Sequence, residues 1–241
     1  EPKTLKEIDL SNVKPGTLLV TDQEKVSLRK AKVSSWPLLK EQLFKIDENV
    51  EALSPNASGQ CFISRGEKTM SVIVDGVIPE MADRVVNVSG KVKEGSFLSM
   101  NNDQIVIGKK LAKDLGVKLK DRVRLLSAEG VTRTCMVSGI YSLGVGNLDG
   151  GFAFTTLDNA QQLFKLDNDI ISLEIHLKDI YSADKVAEKI KSQTEYEAES
   201  WMTTNIGLMQ AIKAQDNTGY LIKYFSMVIV ALAIASVLVV S

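Results

Sequence analysis

The chain has 241 residues, 44% of them hydrophobic, with 29 Lys and Arg against 30 Asp and Glu and a formal net charge of −1. That length can bury one large core or two small ones, and the balanced charge leaves no global field to attract nucleic acid or acidic lipid. A lone histidine, His176, excludes a zinc cluster, and two cysteines, Cys61 and Cys135, are too few for a disulfide framework.

In chain order, Leu18 to Thr21 follows Pro15-Gly16 as a first strand. Ser35-Trp36-Pro37 starts a helix with Pro in its first turn, and Leu39, Leu43, Phe44 and Ile46 fall on one face. Val50 to Leu53 reads as a strand closed by the turn residues Ser54-Pro55-Asn56, which completes a strand–helix–strand unit. Gln60 to Arg65 and Met70 to Val77 pair about Gly66-Glu67-Lys68. Gly108 to Leu115 is a short helix with Gly116 placed for the left-handed residue after its last turn. Arg122 to Ser127 and Thr132 to Tyr141 form a hairpin about Ala128-Glu129-Gly130, and Gly151 to Thr155 is a further strand. Leu157, Ala160, Leu163 and Phe164 make an amphipathic turn or two.

A second unit follows. Ile171, Leu173, Ile175 and Leu177 alternate with Ser172, Glu174, His176 and Lys178, the period of a half-buried strand. Ser182 caps a helix with Ala183, Val186, Ala187 and Ile190 on one side, and Glu197 to Trp201 reads as the closing strand. The fold class is α+β: two strand–helix–strand units pair as a ferredoxin-like split βαβ arrangement, with a strand-rich subdomain inserted between them. The divisions are 1–70 and 165–202 for the two parts of the frame and 71–164 for the insertion. Residues 203–219 form a stalk helix, and 220–241 a membrane-spanning helix.

The stalk carries Ile206, Met209 and Ile212 on one side, and Met209 and Ile212 are the candidate coupling interface. The 22 residues from Tyr220 to Ser241 would cover about 33 Å as a helix, enough to cross the hydrocarbon core. Tyr220, Tyr224 and Phe225 gather at one end as interfacial aromatics do, and Lys223 can snorkel there. Nothing basic follows Ser241 and no initiator Met precedes Glu1, so the chain is expected to be a piece of a longer protein.

Catalytic chemistry is sparse. His176 falls on the polar face of its strand. Gly144-Val-Gly146 with Gly150-Gly151 lacks the Gly-Lys-Ser/Thr of a phosphate loop and reads as a flexible turn. Asp75 and Glu80 flank a turn without the placement of an acid/base pair, and Asn56-Ala57-Ser58 is a glycosylation sequon of low specificity. No catalytic, cofactor or metal site follows from these residues.

The run from Ile105 to Leu125 contains Val-Ile-Gly-Lys-Lys-Leu-Ala-Lys-Asp-Leu-Gly-Val, with Asp121-Arg-Val after it. Together with Val137-Ser-Gly-Ile-Tyr141, Phe152 to Phe164, Ile175 to Ala183, and Trp201 with Asn205 and Leu208, it resembles MacB-like periplasmic core domains. These belong to permeases of type VII, mechanotransmission, ABC transporters, and the lipoprotein-releasing permeases LolC and LolE look most similar. The resemblance implies a two-part domain, porter and Sabre, between the first and second of four membrane helices, outside the inner membrane. It implies a cytoplasmic ABC ATPase subunit, a second permease copy or paralogue, membrane lipid and a lipoprotein with its periplasmic carrier as partners. It implies neither a cofactor nor nucleic acid. The long hairpin arm of LolC-type permeases is reduced here to Ser127-Ala-Glu-Gly130. A LolE-type partner, a permease doing both jobs, an exporter of another amphiphile such as a macrolide or peptide, or an FtsX-like scaffold for a cell-wall hydrolase stay open, as does a membrane-anchored sensor without an ATPase. Leu143 to Gly151 is a second candidate contact surface.

Overall fold

A computed structural model describes residues 32–204, 222–227 and 229–230. The first predicted strand, Leu18 to Thr21, lies outside the described residues, as does most of the stalk. Helix α1 (Trp36–Ile46) starts with Pro in its first turn. It buries Leu39 and Leu43, whereas Phe44 is exposed.

The strand predicted to stop at Ser54-Pro55-Asn56 does not stop. Strand β1 runs from Val50 to Arg65 straight through those residues. Its first half pairs antiparallel with β8 (Ser172–Leu177), and from Asn56 onward it pairs with β2 (Lys68–Val77). Pro55 is therefore opposite Leu173 on one flank and just short of the β2 ladder on the other. A proline, having no N–H to donate, is tolerated where one flank lacks a strand partner. Helix α2 (Pro79–Val86) lies against β1 and β8.

The remaining strands are β3 (Val92–Gly95), β4 (Gln104–Gly108), β5 (Arg122–Ser127), β6 (Thr132–Tyr141) and β7 (Phe152–Thr156). Their order is β2-β7-β4-β6-β5-β1-β8, with β3 beside β6. Because β1 also pairs with β2, the path from β2 to β1 closes into a ring of six strands. The β2–β7 and β4–β6 pairs are parallel, and the others in the ring are antiparallel.

The ring encloses the largest core, built from Ile63, Val74, Ile105, Ile107, Leu125 and Val137 among others. Helices α3 (Lys109–Leu115) and α5 (Leu157–Phe164) complete it with Leu111, Leu115, Ala160 and Leu163. Gly116 adopts φ 69° and closes α3 as the sequence predicts. Arg65 and Lys68 at the β1–β2 turn donate to the carbonyls of Gly116 and Asp114, where cations favour a helix C-terminus. Arg65 also pairs with Asp121 at 3.0 Å. Cys61 and Cys135 are buried thiols within strands and are not bridged to one another.

A second core joins α1, the first half of β1, β8 and α6 (Ala183–Gln193) through Leu39, Leu43, Leu53, Leu177, Val186 and Ile190. A third lies outside the ring, where Phe97, Met100, Val106 and Tyr141 pack beneath α2 with Phe154 edge-on to Phe97 and Tyr141.

Two further expectations change at the C-terminal side. Ser182 precedes α6, but its hydroxyl donates to the Asp179 carbonyl and accepts from Asn49, so it does not cap the helix. Glu197 to Trp201 is not a strand: Ser200 Oγ accepts from the Thr203 N–H at 3.2 Å and starts α7 (Trp201–Thr204). Trp201 Nε1 donates to the Ile180 carbonyl at 2.8 Å, which ties that start to the loop before α6.

Candidate partner-contact surface

The glycine-rich stretch 143–151 reads as a flexible turn in the sequence but folds as a short helix, α4 (Gly146–Gly151). Three side chains hold it. Asp149 is buried and accepts from the Leu143 N–H at 2.7 Å and the Ser142 hydroxyl at 2.9 Å. Tyr141 donates its hydroxyl to the carbonyls of Phe152 at 3.0 Å and Leu148 at 3.3 Å. Burial pushes the Tyr141 phenol well above its ordinary value, and the charges of Asp149 and Asp75 add to this. It is thus a permanent donor at physiological pH. Gly108 is needed at the start of α3, because a Cβ there would overlap the Asp149 backbone.

This anchoring leaves apolar side chains facing outward. Leu143, Val145 and Leu148 are 43%, 51% and 39% exposed on one short segment. A clustered, rigidly held apolar edge of this kind is suited to protein contact. The turn between β5 and β6 is tight, with Gly130 at φ 78° and its N–H bonded to the Ser127 carbonyl at 3.0 Å. It carries no arm.

The other predicted site residues fall as follows. Met209, Ile212 and Tyr220 lie outside the described residues. Lys223, Tyr224 and Phe225 belong to a helical stretch, 222–227, and are exposed there. The Tyr224 and Phe225 rings meet edge-on at 6.1 Å. Among the described residues no helix is long and apolar enough to cross a membrane. His176 is 3.8 Å from Glu51, a loose surface pair in keeping with its expected place on the polar face. Among the described residues no group of three or more His, Cys, Asp and Glu side chains is placed to hold a metal ion.

Sequence reasoning missed one polar assembly. Asp75 lies across from Ser58, two residues along β1 from the Asn56 that bonds Glu174 of β8. The alternation along β8 marks Glu174 as polar, yet nothing local reveals which strand faces it.

The domain is thus a closed mixed sheet with a helix-covered core and an anchored apolar edge. The sequence matches MacB-like periplasmic core domains over residues 4–193, and the chain belongs to that family. It is 24% identical over 214 residues to the lipoprotein-releasing system transmembrane protein LolC of Neisseria meningitidis serogroup B, covering 82% of this chain and 52% of that protein. It is 25% identical over 182 residues to LolC of Xylella fastidiosa (70% and 44%), and 27% over 162 residues to LolE of Haemophilus influenzae (63% and 38%). The chain spans about half the length of the curated relatives it matches. Among solved structures, the extracellular domain of the noncanonic ABC-type transporter YknZ from Gram-positive bacteria superposes with a TM-score of 0.49 at 16% identity, covering 67% of this chain and 82% of that one. The periplasmic region of MacB from Actinobacillus actinomycetemcomitans gives 0.45 at 18% identity, over 63% and 71%.

Proposed function

We propose that the chain is the extracytoplasmic domain of an ABC transporter permease that works in the release of lipoproteins from the inner membrane. The observation that carries this is its similarity to LolC and LolE along most of its length, within the MacB-like family. A separate cytoplasmic ATPase supplies the work, a second permease copy or paralogue completes the transporter, and the chain itself performs no catalysis.

Within this reading, residues 1–70 and 165–202, with α1, β1, β8 and α6, form the porter part, and residues 71–164, with β3 to β7 and α3 to α5, form the Sabre-like part. Residues 203–219 are the stalk, with Met209 and Ile212 at the coupling interface. Residues 220–241 are the second of four membrane helices, and Tyr220, Lys223, Tyr224 and Phe225 lie at the lipid interface. The tight β5–β6 turn favours a LolE-type role over one that recruits the carrier through a hairpin arm. The edge formed by Leu143, Val145 and Leu148 is then the surface offered to a periplasmic partner.

The test is reconstitution of the full-length permease with its ATPase in liposomes carrying a triacylated lipoprotein. ATP-dependent transfer of the lipoprotein to a soluble acceptor is the expected result, and its absence sinks the substrate assignment. A Gly-Ser pair inserted near Asp216 should leave ATP hydrolysis and folding intact while abolishing transfer. Transfer that survives the insertion removes the lever role of the stalk.

A further inference from the structure

One face of β1 carries a polar row. Ser54 and Glu174 are direct cross-strand partners on β1 and β8, and Ser58 and Asp75 are partners on β1 and β2. Asn56 lies between the two pairs, two residues from each serine. The strand period of two therefore puts all five side chains on one face.

Asn56 is only 6% exposed, and its Nδ2 donates to Glu174 Oε1 at 3.0 Å. Asp75 stands directly across from Ser58, one step further along the same face of β1. One buried amide thus lies between carboxylates from two strands that flank β1 on opposite sides, and bonds the one on β8.

The arrangement is short of donors. Two ionised carboxylates only accept, and an amide nitrogen has just two hydrogens to give. Asn56 Oδ1 is buried and has no hydrogen-bond partner. Among the described residues neither Asp75 nor Glu174 forms an ion pair.

Among the described residues the surrounding elements supply no counter-charge. On α2, Glu80 and Arg84 are exposed and Asp83 is engaged by the Ser89 N–H and hydroxyl, each at 2.7 Å. Glu51 and His176, further along β1 and β8, face each other. Strand β7 opposes Asp75 with Phe154, and the Tyr141 hydroxyl is spent on backbone carbonyls.

A proton on one carboxyl resolves these shortages together. It turns an acceptor into a donor, offers Asn56 Oδ1 the hydrogen it lacks, and removes the repulsion between two half-buried like charges. We propose that Asp75 and Glu174 hold one proton between them on the Asn56 amide, forming a latch that fastens β8 to the strand ring and loosens as that proton leaves.

Burial pushes both carboxyls above their ordinary range, and the Asp75 charge adds to the rise at Glu174. Because the folded values are raised, the stabilisation is present in acid and is lost as pH climbs through them. Above them two uncompensated charges face each other across β1. The pair titrates as a unit, so its two steps belong to neither residue alone.

The experiment is a carboxyl ¹³C titration of the full chain, with E174Q and D75N as assignments and as neutral mimics. The expected result is a last proton leaving well above the ordinary carboxylate range. Amide exchange across 172–177, after division by its intrinsic base-catalysed rate at each pH, should speed up by about tenfold or more over the same interval, the factor carried by one pKa unit of linkage. In E174Q, or in D75N should the first fail to fold, that acceleration should vanish. Two carboxyls titrating in the ordinary range overturn the proposal. So does a pH-dependent loss of protection, beyond intrinsic base catalysis, that persists in both variants, or stabilisation by Ca²⁺ or Mg²⁺ in place of the proton.

Discussion

Gly76 on β2 lies against the Ala160 methyl on α5, so closely that a Cβ at 76 would occupy the methyl's place. Gly59 on β1 stands in the same relation to the Phe164 ring at the other end of that helix. The helix can seat itself in the strand ring only because two facing positions have no side chain. G76A should cost about 1–3 kcal/mol by overpacking, read as a lower urea midpoint. G151A, where an added Cβ meets nothing within 4 Å, should stay within about 0.5 kcal/mol.

Asp149 should behave as the anchor of the α4 edge. Replacing it with Ala leaves the Leu143 N–H without its acceptor and the Ser142 hydroxyl without its partner. A loss of about 1–3 kcal/mol is expected, with amide exchange accelerated first at 143–151.

The outward apolar side chains separate folding from function. L143S, V145S and L148S together should leave thermal unfolding nearly unchanged, since all three are exposed. Transfer of lipoprotein by the reconstituted permease should fall, and unimpaired transfer would remove this edge from the contact surface.

The link between α1 and α6 is a titrating one. Lys189 Nζ is 2.5 Å from Asp47 Oδ2, and the Asn49 N–H bonds the other oxygen. The Lys189 hydrogen bond, then that of Asn49, holds the Asp47 carboxyl below its ordinary value of 3.8. Its stabilisation is present above that value and is lost as pH falls through the lowered one. D47N should therefore flatten part of the acid side of the stability curve, a small effect at an exposed pair. Unfolding midpoints of wild type and D47N across the acid range check it.

Local chemistry made much of the fold readable. The β5–β6 hairpin, Gly116 after α3, and the four apolar positions of α5 follow from period and turn residues and need no distant partner. The misreadings occur where tertiary pairing overrides a local signal. Ser54-Pro55-Asn56 has the composition of a turn, but β8 on one flank and β2 just beyond hold it extended. Glu197 to Trp201 reads as a strand, yet Ser200 and Trp201 find local and loop partners first. The α4 edge was legible as a place but not as a structure, because its anchor depends on Asp149 turning inward. The Asp75–Asn56–Glu174 cluster was not legible, since only the register of three strands brings it together.

At a rise of ~3.3 Å per residue, the 16 residues of β1 extend over roughly 50 Å. One end belongs to the core beneath α1 and α6, and the other to the core inside the ring. Separating the two cores would mean breaking a strand rather than bending a linker. The two cores are therefore joined as by a tie-rod, through one unbroken length of hydrogen-bonded backbone.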